Sequence, residues 1–112
     1  LALAEIIKAN IISIGAVQDD ELGYPDCREI YFSAFQNVAT LGGNNPHLTI
    51  QTPIIKLQKT EIVKKLIELN APIQFSWSCY QANDFACGVC DSCRLRLAAF
   101  HKVHAVDPII YK

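Results

Sequence analysis

Four of the five cysteines of this chain fall between residues 79 and 93, three of them in the run Cys87-Gly88-Val89-Cys90-Asp91-Ser92-Cys93. Thiolates are soft ligands that suit Zn²⁺, and structural zinc takes four of them tetrahedrally at about 2.3 Å. A Cys-x-x-Cys step brings two sulfurs to one ion while the turn between them points backbone N–H groups at the sulfurs. Gly88 eases such a turn because it takes a positive φ without a Cβ clash. The seven residues between Cys79 and Cys87 are enough to fold back and deliver the fourth sulfur. Cys93 shortly precedes a helix-like stretch, and a helix N-terminus favours a thiolate over a thiol. A redox pair and two disulfides are the alternatives. Redox motifs of the Cys-x-x-Cys kind do not overlap two such steps, and nothing in the chain looks secreted. The spacing therefore points to a metal site of Cys79, Cys87, Cys90 and Cys93.

The rest of the composition is that of an ordinary globular chain, 51% apolar and 19% charged, enough for one small domain or part of a larger one. A net charge of −1 supplies no global field to recruit nucleic acid. No apolar run approaches the ~20 residues that span a bilayer, and Glu5, Lys8 and Asn10 interrupt residues 1–14 too often for a signal peptide. Thiols clustered for a metal fit a reducing compartment, so a cytoplasmic location is expected. The chain has no methionine and opens at Leu1 in what reads as mid-helix, so it is expected to be part of a longer protein.

Along the chain, residues 1–9 are good helix formers, with Asn10 as the expected C-cap. Residues 11–16 read as a buried strand, apolar and β-branched. A helix running into such a strand suggests an α/β layer with parallel pairing. Residues 17–28 are polar and turn-rich, and they follow the end of a parallel strand, where open α/β sheets place their ligands. Ile30, Phe35, Val38 and Leu41 are spaced for the inner face of a helix stopped by Gly42-Gly43. Residues 48–53 alternate like a half-buried strand ending at Pro53. A helix over 59–69 is expected to turn Ile62, Val63, Leu66, Ile67 and Leu69 inward. Residues 73–78 read as a short strand or an extended lead into the cysteines, and 94–103 as a terminal helix. The expected division is 1–72 for the sheet-forming part and 73–112 for the metal-binding segment with its helix.

Several residues have two readings. Asp20, Tyr24, Asp26 and Arg28 are a ligand site or simply a solvated turn, since Asp, Gly and Pro are ordinary turn residues. Cys27, the leftover thiol, is a nucleophile or, as lone cysteines more often are, a small buried apolar group. Trp77 and Tyr80 are stacking platforms or core beside the metal. His101 and His104 offer nitrogen ligands, but four cysteines already fill the shell. Arg94, Arg96 and Lys102 read as a solvated positive face.

The motifs bear on the first of these readings. Asp20, Gly23-Tyr24-Pro25-Asp26-Cys27-Arg28, Pro53-Ile54-Ile55, Lys59 with Glu61-Ile62, and Trp77-Ser78-Cys79-Tyr80 belong to one pattern with the cysteine run. Leu95-Arg96, Phe100, Asp107-Pro108 and Tyr111 continue it. In these residues the chain resembles the 7-cyano-7-deazaguanine synthase (QueC/ExsB) family of the PP-loop ATP pyrophosphatase superfamily over nearly its whole length. The resemblance implies the C-terminal half of a Rossmann-like (adenine nucleotide alpha hydrolase-like) parallel α/β fold with a terminal four-cysteine zinc site. It also implies a reaction in queuosine biosynthesis: 7-carboxy-7-deazaguanine and ammonia become the nitrile at the expense of two ATP, with AMP and pyrophosphate released. Adenylation of the carboxylate, attack by ammonia, adenylation of the amide oxygen and loss of AMP is the implied order, carried by positioning and charge stabilisation. Asp20 and Arg28 are favoured to contact the base or its carboxylate, with Tyr24 and Asp26 beside them. Zinc, held once per chain in a closed shell, is expected to be structural. ATP with Mg²⁺, a homodimer, and neither nucleic acid nor membrane as partner complete the picture; the residues of the chemical steps stay unassigned.

Three departures from the family pattern stand out. The Ser-Gly-Gly-x-Asp-Ser phosphate loop is absent, and Gly42-Gly43 follows a helix and cannot replace it, so the isolated chain is not expected to turn over. The stretch Gly15-Ala16-Val17-Gln18 lacks the asparagine usual in the family there, and Leu22 stands where serine is usual. Gln58 occupies a Ser/Thr N-cap position, at a cost of about 1 kcal/mol or less. Two other classes compete: a zinc-ribbon module that binds RNA or protein, and a related PP-loop tRNA thiolase with a reactive cysteine pair.

Overall fold

The computed structural model describes residues 1–20 and 23–112. Glu21 and Leu22, and with Leu22 one of the departures above, lie outside the described residues. Packing groups the chain into two units, Leu1–Leu57 and Gln58–Lys112.

In the first unit, helix α1 (Ala2–Ile6) leads to strand β1 (Ile11–Ser13). The helix ends sooner than expected, at Ile7, and Lys8 turns the chain at φ 55°. Asn10 is thus not a cap. Its carbonyl instead accepts the Thr49 N–H at 2.9 Å, and its side-chain oxygen accepts from Asn45 Nδ2 at 3.2 Å. Two 3₁₀ turns, Gln18–Asp20 and Pro25–Cys27, carry the chain to helix α2 (Glu29–Gly42), which crosses to strand β2 (Thr49–Gln51). The strands pair in parallel, Ile12 opposite Ile50, which gives the strand–helix–strand unit of an α/β fold. Ala16, Phe32 and Ile55 form the core, with Ile14, Cys27 and Ile50 against it.

The buried face of α2 differs from the expected one. Phe32 and Ala39 are buried, whereas Ile30, Val38 and Leu41 are 76%, 58% and 88% exposed. Gln36 explains the rotation. Its Nε2 donates to the Leu48 carbonyl (2.9 Å) and its Oε1 accepts the Ile50 N–H (2.7 Å), so one amide side chain pairs with β2 as a strand would. Two satisfied backbone groups hold that face inward although it is not the most apolar one. At the helix end Gly43 packs so tightly that a Cβ would lie 2.6 Å from the Ala39 carbonyl oxygen. The glycine pair closes a helix C-terminus, as expected.

The second unit opens with helix α3 (Lys59–Glu68). Its first-turn Glu61 accepts the Gln58 N–H at 2.8 Å, so the N-terminus keeps a carboxylate partner despite lacking Ser or Thr. Val63 is buried, Ile62 and Leu66 are half-buried, but Ile67 and Leu69 are exposed, contrary to the expected stripe. The helix end takes no part in the cluster of Val63, Ala99 and Phe100 that joins α3 to helix α4 (Asp91–Lys102). Residues 73–78 form no strand. Ile73–Phe75 is a 3₁₀ turn after Pro72, and Ser76 follows in extended conformation. Among the described residues no helix is long and apolar enough to cross a membrane.

Candidate metal centre and ligand segment

The four sulfurs of Cys79, Cys87, Cys90 and Cys93 lie within 4.8 Å of one another. Four thiolates around one zinc stand about 3.8 Å apart when each Zn–S bond is about 2.3 Å. The cluster is therefore close to the size of a filled tetrahedral shell, and the group could hold a metal ion. All five cysteines are unbridged. The Cys87 and Cys93 sulfurs stand 4.0 Å apart, twice the length of a disulfide.

Local chain geometry makes the cluster. Gly88 sits at φ +70°, the left-handed turn that its lack of a Cβ allows. The Cys90 N–H points at the Cys87 sulfur at 3.4 Å, and the Cys87 and Gln81 N–H groups both point at the Cys79 sulfur at 3.4 Å. These donors have an electrostatic result. The Cys87 N–H, aided by those of Gln81 and Ala82, outweighs burial and lowers Cys79 to about 6. The Cys93 and Tyr80 N–H groups likewise lower Cys90. Cys93 behaves otherwise than expected. It lies inside the first turn of α4, with Cys90 at the N-cap, and is fully buried. Burial, together with its neighbouring thiols, pushes it up to about 12, so desolvation outweighs the helix terminus.

The surroundings sort the remaining readings. Trp77 and Tyr80 are 44% and 78% exposed, so neither is core; the Trp77 indole donates to the Cys79 carbonyl at 3.0 Å. His101 and His104 are exposed near the far end of α4 and take no part in the cysteine cluster. Arg94 and Lys102 are exposed as expected, but Arg96 is not. Its guanidinium grips Asp107 with two bonds, Nε at 2.6 Å and Nη2 at 2.8 Å, and Nη1 reaches Ser76 Oγ at 2.9 Å. The Tyr111 hydroxyl donates to Asp107 as well, at 2.6 Å. The Asp107 side chain is only 2% exposed. Burial raises its pKa, but the Arg96 and Tyr111 bonds win and hold it below the usual carboxylate range. Sequence reasoning missed this group, although Arg96, Asp107 and Tyr111 all stand in the motif pattern. Their sequence separation hid the contact.

The structure brings Asp20, Tyr24, Asp26 and Arg28 onto one segment beyond the C-terminal end of β1. Asp20 closes the first 3₁₀ turn and is half-buried; Tyr24, Asp26 and Arg28 are exposed. The Asp20 carbonyl accepts the Gly23 and Tyr24 N–H groups at 3.1 and 2.8 Å. Arg28 is the N-cap residue of α2, its carbonyl accepting from Tyr31 at 3.0 Å. Cys27 is half-buried and packs on the Ala16–Phe32–Ile55 core, as the apolar reading has it. Val17 is buried at 5% exposure, a site suited to its apolar side chain.

Comparison with known proteins agrees with the motifs. A family model described as "Queuosine biosynthesis protein QueC" matches residues 1–104. Proteins named "7-cyano-7-deazaguanine synthase" are similar to this chain. That of Chlorobium chlorochromatii is 54% identical over 97% of the chain and 48% of its own length. That of Chloroherpeton thalassium is 53% identical over 97% and 49%, and that of Sulfurovum sp. 48% identical over 99% and 50%. The chain thus spans about half the length of the curated relatives it matches. With a family match over nearly all its residues and a four-cysteine cluster where the motif requires one, the chain belongs to the QueC family of queuosine biosynthesis proteins.

Proposed function

We propose that this chain is the C-terminal part of an enzyme that converts 7-carboxy-7-deazaguanine and ammonia to 7-cyano-7-deazaguanine, an ATP-dependent carbon–nitrogen ligase. The observation that carries the reading is identity near one half, over almost the whole chain, with proteins bearing that synthase name. Activation of a carboxylate by ATP leaves an acyl adenylate open to ammonia. A second adenylation, on the amide oxygen, makes that oxygen a leaving group and ends at the nitrile, each ATP giving AMP and pyrophosphate. The phosphate-binding loop and its ATP with Mg²⁺ are assigned to the part of the protein outside these 112 residues.

In this reading the residues beyond β1 bind the substrate. Arg28 offers a planar, bidentate partner for the carboxylate, and Asp20 an acceptor for the ring N–H and amino groups of the base. Tyr24 and Asp26 flank them. The metal is zinc, one per chain, held by Cys79, Cys87, Cys90 and Cys93. Four soft donors close the shell, so the ion supplies a cross-link to the fold and leaves no coordination position for substrate. The protein works in the cytoplasm as a homodimer, with small molecules rather than nucleic acid or membrane as its partners.

Turnover of the full-length protein tests the reading. Nitrile formation from 7-carboxy-7-deazaguanine, ammonia and ATP is expected, with AMP and pyrophosphate as co-products. Arg28→Ala is expected to lower kcat/KM about tenfold or more, the effect of one lost charge-assisted hydrogen bond. An Arg28→Ala enzyme with the parent kcat/KM would remove Arg28 from the site.

A further inference from the structure

We infer that residues 107–112 form a strap that keeps the four-cysteine centre closed and retains its metal, with Asp107 as the residue that fastens it. The inference rests on the metal reading above and adds a role for residues that hold no metal themselves. Arg96 stands one helical turn after Cys93 on α4. It fixes Asp107 through two bonds, and Asp107 in turn accepts from the Tyr111 hydroxyl and, at 3.3 Å, from the Ile109 N–H. The tail so aligned pairs with Ala86, the residue before Cys87. The Ala86 N–H donates to the Ile110 carbonyl at 2.8 Å and the Lys112 N–H to the Ala86 carbonyl at 3.1 Å.

The path thus leads from just after Cys93, through Arg96, Asp107 and the tail, to just before Cys87. Hydrogen bonds at both ends of the tail thus tie the two ligand positions together. The Cys87 N–H, fixed by this pairing, is one of the two N–H groups aimed at the Cys79 sulfur at 3.4 Å. Ile109 and Tyr111 also pack on Cys79, Ala86 and Cys93, and both Ala86 and Cys93 are completely buried. The Tyr111 ring lies so close over the Cys87–Cys90 turn that a Cβ on Gly88 would stand 3.7 Å from its Cδ1. At the tip, the Lys112 ammonium sits 4.5 Å from the Phe85 ring centroid, a further tie to the Cys79–Cys87 loop. Groups that orient metal ligands from outside the coordination shell typically govern affinity by about ten- to a hundredfold. An aligned tail that also covers the sulfurs should slow the attack of a chelator.

The test uses the full-length, zinc-loaded protein and measures zinc release to excess EDTA. Alkylation of each cysteine is followed in parallel by mass spectrometry, with Cys27 in the other unit as internal reference. Asp107→Asn is expected to release zinc about ten- to a hundredfold faster and to expose Cys87 to alkylation, with Cys27 unchanged. Tyr111→Phe keeps the ring over Gly88 and loses only the hydroxyl bond, so a smaller acceleration of a fewfold is expected. Release from Asp107→Asn at the parent rate overturns the strap. Should Asp107→Asn also alkylate Cys27 faster than the parent does, the variant has lost its fold and Tyr111→Phe decides alone: faster release with Cys27 alkylated at the parent rate supports the strap, and release at the parent rate overturns it. A parent protein that carries no metal overturns the metal reading, and the strap with it.

Discussion

The cysteine cluster and the segment carrying Asp20, Tyr24, Asp26 and Arg28 are built in opposite ways. Among the described residues, the groups that shape the first lie within one unit, between Ser76 and Lys112: four sulfurs, the N–H groups aimed at them, the Arg96–Asp107 ion pair and a paired tail. Cys93 and Ala86 have no exposure, and Asp107 keeps 2%. The second is a pair of 3₁₀ turns whose backbone is satisfied locally, with three of its four named side chains exposed. One region is finished within the chain, and the other presents its groups outward. Arg96, Asp107 and Tyr111 spend their polar groups on one another, whereas Tyr24, Asp26 and Arg28 lie exposed.

The sharpest way to break this contrast is Cys93→Ser. A hard hydroxyl in place of a buried soft ligand is expected to abolish stoichiometric metal binding and cost more than about 4 kcal/mol, measured by metal analysis and chemical denaturation. Loss of metal with stability unchanged would show that the cluster does not hold its unit together. Next in size is Phe32→Ala in the core of the other unit, expected to cost about 3 kcal/mol while metal content stays at the parent value. Metal lost along with stability would merge the two regions into one cooperative whole. The smallest effect belongs to Lys56→Ala. The Lys56–Glu29 pair is 3.3 Å long, but its side chains are 82% and 55% exposed, so a change below about 1 kcal/mol is expected in the same denaturation experiment.

What the sequence made legible follows the same division. The cysteine spacing and Gly88 made the four-cysteine cluster legible, because soft ligands set at Cys-x-x-Cys spacing announce themselves by type. The parallel pairing of β1 and β2 was readable from a helix running into an apolar strand. What stayed hidden depended on partners distant in sequence. Gln36 turned the inner face of α2 away from the most apolar stripe, since the Leu48 carbonyl and the Ile50 N–H needed a partner and an amide supplied it. Arg96 read as a solvated cation until Asp107, eleven residues on, was found in its grip. Burial reversed the expectation for Cys93, where proximity to a helix N-terminus had suggested a thiolate. Trp77 and Tyr80 failed differently: their size suggested core, and the chain left them at the surface.

An occupied, closed metal centre at the cysteine cluster is tested by the zinc content of the freshly prepared full-length protein together with titration of its thiols under native conditions. One zinc per chain is predicted, with Cys27 the only one of these five cysteines to react and Cys79, Cys87, Cys90 and Cys93 protected until a chelator is added. A metal-free protein in which several of the four react at once would contradict the account and bring the sulfur-transfer chemistry of the thiolase reading to the front.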